Sequence, residues 1–191
     1  MFIFFTSTIS NITCFFKVIL NNILFNNKKD LEPTGIVTWN VPTNQKIIAF
    51  TFDDGPDIIY TKMILEILEQ YCAKATFFML GNRMQKYPGL VQLVLNKKHE
   101  IGNHTMNHIY ANNATSQKIQ EDALQGQKQI SKYMKGAALF RPAGGYVNQT
   151  VLTLAKKNKY QIVFWSWTQD PRDWSSPETH VIVKLSTLVP I

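Results

Sequence analysis

Two carboxylates stand side by side in Thr51-Phe52-Asp53-Asp54-Gly55-Pro56. Adjacent acids repel unless a cation or a shared proton relieves them. One Asp could therefore hold a metal while the other accepts a proton from water. Further along, His104-Thr105-Met106-Asn107-His108 sets two imidazoles four residues apart. That spacing lets both bind one ion, on a helical turn or on a loop curled around it. With Asp54 they make a set of three ligands that leaves a position for water or substrate. Zinc is the first expectation, and cobalt, nickel or manganese would accept the same donors. Each motif alone also has a plain alternative, a polar strand-to-loop turn for the acids and a pair of surface histidines for the imidazoles.

Two later stretches add to the set. In Phe140-Arg141-Pro142-Ala143-Gly144-Gly145-Tyr146 the arginine could pair with a carboxylate and hold it ionised. The glycines could bring backbone N–H groups to a developing oxyanion, although a Gly-rich turn with a surface arginine reads the same way. The run from Trp165 to Trp174 combines three tryptophans with Asp170 and Asp173. Trp165 is assigned to core packing and Trp174 is left open as part of a cleft wall.

The elements that must position these residues alternate. Lys46–Phe52 reads as a strand delivering Asp53 and Asp54 to its end, where Gly-Pro breaks the chain. Tyr60, Met63, Ile64, Ile67, Leu68 and Tyr71 then fall on one helical face. Lys74–Leu80 reads as a buried strand, Pro88–Asn96 as a helix, and His99–Asn103 as a strand running into His104. A long helix capped by Thr115 or Ser116 passes through Ile119, Ala123, Ile130 and Met134. The strand 138–140 leads to Arg141, Asn148 caps a helix to about Lys157, and Gln161–Trp165 is a further strand. Such alternation argues for an α/β fold with a parallel sheet or barrel, with its chemistry at the C-terminal strand ends.

At 191 residues and 45% hydrophobic, the chain has enough apolar material for one globular domain. Its net charge of +7 is scattered rather than clustered, and no nucleic-acid motif accompanies it, so an anionic polymer or surface is the partner that charge suggests. Cys14 and Cys72 lack metal or redox spacing, and buried or free thiols are expected. Residues 1–27 are apolar but broken by polar residues and Lys17. They admit an export signal or membrane anchor, or a segment of no defined structure. Residues 28–45 read as a linker and 46–191 as the catalytic domain.

Taken together and in this order, Thr51–Pro56, His104 with His108, Arg141-Pro142 and Asp173-Trp174 resemble the polysaccharide deacetylases of the NodB-homology type, carbohydrate esterase family four. Among these the chain is most similar to Gram-positive enzymes of cell-wall peptidoglycan. The resemblance implies a distorted (β/α) barrel and metal-assisted removal of acetyl from N-acetylated cell-wall glycan, outside the cytoplasm. It implies that Asp53 is the base, that Asp54, His104 and His108 hold the metal, and that Arg141 steadies the base. It further implies that Asp173 tunes the catalytic histidine. Gly144 falls where many relatives carry an aromatic residue whose N–H helps form the oxyanion hole, and Tyr146 is a candidate to replace the missing wall. The sequence departs from the family at the end. The Leu-x-His motif that supplies the general acid has no counterpart, because Ser176-Pro177-Glu178 opens a helix bearing Val181, Leu185 and Leu188. Of the other histidines, His99 begins a strand and His180 lies in that last helix. The expectation is a barrel without its last strand or strands and impaired turnover. The alternatives are a carbohydrate-binding or remnant protein that keeps the cleft without the acid, and a metal-dependent hydrolase of another acyl amide or ester.

Overall fold

A computed structural model describes residues 35–39, 47, 49–136 and 139–165. The strands are β1 (Val37–Thr38), β2 (Phe50–Gly55), β3 (Ala75–Met79), β4 (Glu100–Asn103), β5 (Leu139–Phe140) and β6 (Gln161–Val163). Between them run α1 (Tyr60–Gln70), α2 (Gly81–Lys86), α3 (Pro88–Asn96), α4 (Ser116–Ile130) and α5 (Gln149–Asn158). The strands form one sheet in the order β1-β6-β5-β4-β3-β2. All five pairings are parallel. The fold is α/β with an unclosed sheet, as expected of a distorted barrel whose edges, among the described residues, are β1 and β2.

The helix limits follow from local chemistry. Pro88 opens α3, where its missing N–H costs nothing. Thr115 Oγ1 accepts the Lys118 N–H to cap α4, and Asn148 Oδ1 accepts the Val151 N–H to cap α5. Among the described residues, three apolar clusters pack on the sheet, the smallest built on Phe78 and Val163. Phe50, Leu65, Phe77, Met79, Val94 and Ile101 belong to one, and Trp39, Phe140, Leu154, Ile162 and Phe164 to another. The Trp39 and Phe164 rings stack at 4.4 Å. Val37, Thr38 and Trp39 were expected within a linker, yet they pair with β6 and fill core.

One further expectation needs correction. The face of α1 that packs inward is Thr61, Leu65 and Leu68. Tyr60, Met63, Ile67 and Tyr71 lie outside it, 65%, 51%, 53% and 61% exposed. The helix carries two adjoining apolar stripes, and periodicity alone does not tell which of them meets the sheet. Cys72 is a free, exposed thiol, one of the two expected alternatives, and Cys14 lies outside the described residues. Helix α2 was not anticipated, because six residues are too few to display a helical period. It matters for the site, since its first two N–H groups lack intrahelical acceptors and donate instead to the carbonyls of Thr105 and Met106, at 2.9 and 3.1 Å.

His99 enters just before β4 at the N-terminal edge of the sheet, where its Nδ1 accepts the Ala75 N–H at 3.2 Å. Burial pushes its pKa down from 6.5 to about 4, and Lys74 and Lys97 push the same way. Between those values the unfolded chain binds a proton that the folded chain does not, so stability falls as pH falls. Urea unfolding at pH 6.5 and pH 4 should show that loss, and His99→Gln should flatten this part of the profile.

Candidate active site

The site is built on an irregularity. Phe52 pairs with Phe77 and Gly55 with Met79, so β2 spends three steps where β3 spends two. In a regular strand Asp53 and Asp54 would point to opposite faces. The extra residue, with Asp54 in the left-handed region at φ 66°, lets both carboxylates face the C-terminal edge. Bulges re-aim side chains in this way.

Arg141, 1% exposed, lies across that edge. Its Nη1 donates to Asp53 Oδ1 at 2.7 Å and to Thr51 Oγ1 at 2.8 Å. Its Nε donates to the Val163 carbonyl at 3.0 Å and its Nη2 to the Phe164 carbonyl at 3.1 Å. The guanidinium carbon sits 4.0 Å from the Phe78 ring centroid and 5.5 Å from that of Trp165. Trp165 is half-buried against the core, as expected. Burial alone would push the Asp53 carboxyl up. Arg141, with help from His104, more than reverses this and holds it below its usual 3.8. Asp53 is surrounded by protein yet keeps 32% of its side-chain surface open, so it is ionised and reachable.

The two histidines lie on a loop rather than a helical turn. Three buried polar groups shape it. Asn103 Oδ1 accepts the Thr105 N–H while its Nδ2 donates to the Ala123 carbonyl, both at 2.9 Å. Thr105 Oγ1 accepts the His108 N–H at 3.0 Å. Asp122, 4% exposed on α4, accepts from the Asn107 backbone at 3.0 Å and its side chain at 2.8 Å. Close approach of α4 requires Gly126, where a Cβ would lie 2.5 Å from Asn103 Oδ1 and 2.7 Å from the Thr105 backbone.

His104, 2% exposed, places Nδ1 2.7 Å from the Arg141 carbonyl oxygen. That oxygen only accepts, so Nδ1 carries the proton and Nε2 presents a lone pair. His104 Nε2 is 3.5 Å from Asp54 Oδ1, and His108 Nε2 is 3.4 Å from the same oxygen. Burial, then His104, push the His108 pKa below 6.5, against the pull of Asp54, which favours the neutral ring a cation needs. One donor atom from each of the three residues falls within 4.8 Å of the others. Donors bound tetrahedrally at roughly 2.0–2.1 Å sit about 3.3 Å apart, so Asp54, His104 and His108 fit a divalent metal.

Beyond Arg141 the chain makes a short 3-10 turn, Ala143–Gly145. Gly144 has φ 62°, and a Cβ there would lie 2.6 Å from the Tyr110 ring and 2.9 Å from that of Tyr146. Gly144 is an exposed residue, and its N–H makes no hydrogen bond among the described residues. Tyr110 packs edge-on against His108 at 5.1 Å and against Tyr146 at 5.6 Å.

Of the residues singled out in the sequence, Asp53, Asp54, His104, His108 and Arg141 are thus brought together, and Gly144 and Tyr146 adjoin them. Asp173, Trp174 and His180 lie outside the described residues. Thr51, Asn103, Tyr110 and Asp122 were missed. Asp122 had a signal, an acid on the buried stripe of Ile119, Ala123 and Gly126.

A parallel α/β sheet with an ionised aspartate and a convergent His/His/Asp set at its C-terminal edge defines a protein equipped to hold a cation beside a base. Comparison with known proteins makes this specific. The family model for polysaccharide deacetylase matches residues 40–163. A peptidoglycan-N-acetylglucosamine deacetylase of Bacillus cereus is 57% identical over 156 residues, which cover 82% of this chain and 73% of that protein. A second Bacillus cereus protein of the same name is 36% identical over 147 residues, 74% of this chain, and there the chain spans only 51% of the relative. A crystal structure of a peptidoglycan N-acetylglucosamine deacetylase superposes with a TM-score of 0.68 at 30% identity, covering 75% of this chain and 66% of that one. The chain belongs to the polysaccharide deacetylase family.

Two outcomes test the geometry. Arg141→Met removes the buried end of the ion pair and leaves Asp53 and the Val163 and Phe164 carbonyls without their donor, and should lower unfolding free energy in urea by about 3 kcal/mol. Arg141→Lys, which keeps the charge without the planar fork, should fall between. Replacing His104 and His108 together by Ala should weaken zinc or cobalt binding by at least about a hundredfold, read by competition with a chromophoric chelator.

Proposed function

We propose that this protein is a metal-dependent hydrolase that removes N-acetyl groups from cell-wall glycan, with N-acetylglucosamine residues of peptidoglycan as substrate. The observation that carries this reading is the placement of an Arg141-held, ionised Asp53 beside the convergent donors of Asp54, His104 and His108. The names of the Bacillus cereus relatives support the substrate.

The residues then divide the work. Asp54, His104 and His108 would hold a divalent cation, zinc first, which when bound polarises the acetamide carbonyl and makes water more acidic. Asp53 accepts the proton as water attacks the carbonyl carbon. Arg141 keeps Asp53 ionised beforehand by donating to its Oδ1. The Gly144 N–H donates to the developing oxyanion. Collapse of the tetrahedral carbon breaks the C–N bond, and the departing sugar amine takes a proton. His99 stands at the opposite edge of the sheet and does not reach it. With both site histidines engaged as ligands, the proton gained by Asp53 is returned to the amine.

Such a substrate places the reaction outside the cytoplasm. In this reading residues 1–27 serve as export signal or anchor, and Asp173 and Trp174 contribute to the site. The net charge of +7 suits an anionic wall. No helix among the described residues is long and apolar enough to cross a membrane.

Acetate release from N-acetylglucosamine oligomers and from peptidoglycan tests the proposal. It should require added divalent metal, vanish with chelator and return with zinc. Asp53→Asn should lower it by about 100-fold to 10,000-fold with metal affinity retained. Release indifferent to chelator or to Asp53→Asn would overturn the proposal.

A further inference from the structure

Tyr110 has no place in the chemistry described above, yet it stands at the junction of its parts. Its ring meets the imidazole of His108 edge-on at 5.1 Å. The Cδ1–Cε1 edge of the ring occupies the space over Gly144, since a Cβ there would lie 2.9 and 2.6 Å from those two atoms. The ring also meets Tyr146 at 5.6 Å, with planes 84° apart. One aromatic side chain therefore touches a candidate metal ligand, the turn that offers the oxyanion N–H, and a second aromatic ring.

The position is not that of a core residue. Tyr110 is 42% exposed and Tyr146 45% exposed, and neither hydroxyl makes a hydrogen bond among the described residues. Apolar area left open in a perpendicular pair of rings beside a polar site is what a sugar uses, because its C–H face packs on an aromatic plane while its hydroxyls stay wet. Tyr fits such a role, being a rigid apolar body with a polar tip. Gly144 is part of the same arrangement. At φ 62° and without a Cβ it lets the Tyr110 ring lie against the turn, so the wall and the N–H sit next to each other.

We infer that Tyr110 is a specificity-determining residue, whose ring forms with Tyr146 the wall that packs against the N-acetylated sugar and presents its acetamide to the Gly144 N–H and the His108 side of the site. This rests on the glycan reading of the site. A merely structural ring that props His108 would act through metal affinity, whereas a sugar wall acts on glycan binding with metal affinity unchanged.

The test titrates N-acetylglucosamine tetramer into the 191-residue chain, metal-free and zinc-loaded, following ligand-observed NMR or intrinsic fluorescence. Zinc affinity is measured in parallel. Tyr110→Ala should weaken tetramer binding about tenfold in both forms, raise KM rather than lower kcat, and leave zinc affinity at the wild-type value. Tyr110→Phe should retain binding, because the ring carries the contact. Wild-type tetramer affinity in Tyr110→Ala overturns the inference and leaves the deacetylase reading intact. So does a loss of glycan binding matched by an equal loss of zinc affinity. Wild-type chain that neither binds the tetramer nor releases acetate overturns both.

Discussion

The structure depends on one buried cation. The Arg141 guanidinium reaches β2 through Thr51 and Asp53, and through the carbonyls of Val163 and Phe164 it reaches the end of β6. Its own backbone N–H donates to the Asn103 carbonyl at the end of β4, while its carbonyl fixes the His104 ring. In an open sheet β2 and β6 are not neighbours, being separated by β3, β4 and β5. A single side chain thus spans the curvature that brings the first and last of these strand ends to one place. A guanidinium suits this task because its donors form a rigid fork and its face accepts an aromatic ring, here Phe78. Removing it would leave carbonyls and a carboxylate facing one another in a confined volume.

Around this pin the backbone is held in uncommon conformations. Asp54, Thr105 and His108 have φ of 66°, 71° and 59°, values that cost side-chain-bearing residues energy unless the surroundings enforce them. The enforcement is visible. Asn103 and Thr105 satisfy the amides of Thr105 and His108, Asp122 satisfies those of the residues between and after, and the start of α2 takes up the loop carbonyls. Among the described residues, the other non-glycine residues with positive φ, Cys72, Lys98 and Lys159, follow α1, α3 and α5, where a helix ordinarily ends this way. Strain among the described residues that is not simple helix termination is gathered at or beside the candidate ligands, which makes the ligand set a preformed feature of the fold.

Much of this was legible in the sequence because it rests on short-range chemistry. Caps at Thr115 and Asn148, the proline at Pro88 and the strand before His104 are each decided within a few residues. The five central side chains of the site were legible because they are polar residues at predicted strand ends. What escaped is what distance in the chain conceals. Nothing near Asp122 reveals that its carboxylate will turn toward the loop of Asn107, and nothing near Tyr110 reveals Gly144. The buried face of α1 was misassigned because its inward stripe includes Thr61 while its outward stripe carries Tyr60, Met63, Ile67 and Tyr71. Hydrophobicity ranks the second stripe higher, and only the position of the sheet reverses the order. Val37 and Thr38 escaped because two residues are too few to alternate.

Gly126 shows how such a design constrains natural variation. By intrinsic helix propensity an alanine in the middle of α4 would be an improvement. Here the added methyl would meet Asn103 Oδ1 and the Thr105 backbone and lift the helix from the loop that carries both histidines. A position bearing no functional group, one helical turn beyond Asp122, is thereby closed to the most conservative exchange available to it. Drift in this chain is restricted along the lines of contact that support the ligands as well as at the ligands themselves, so a silent-looking glycine can be as revealing of an inherited function as a histidine.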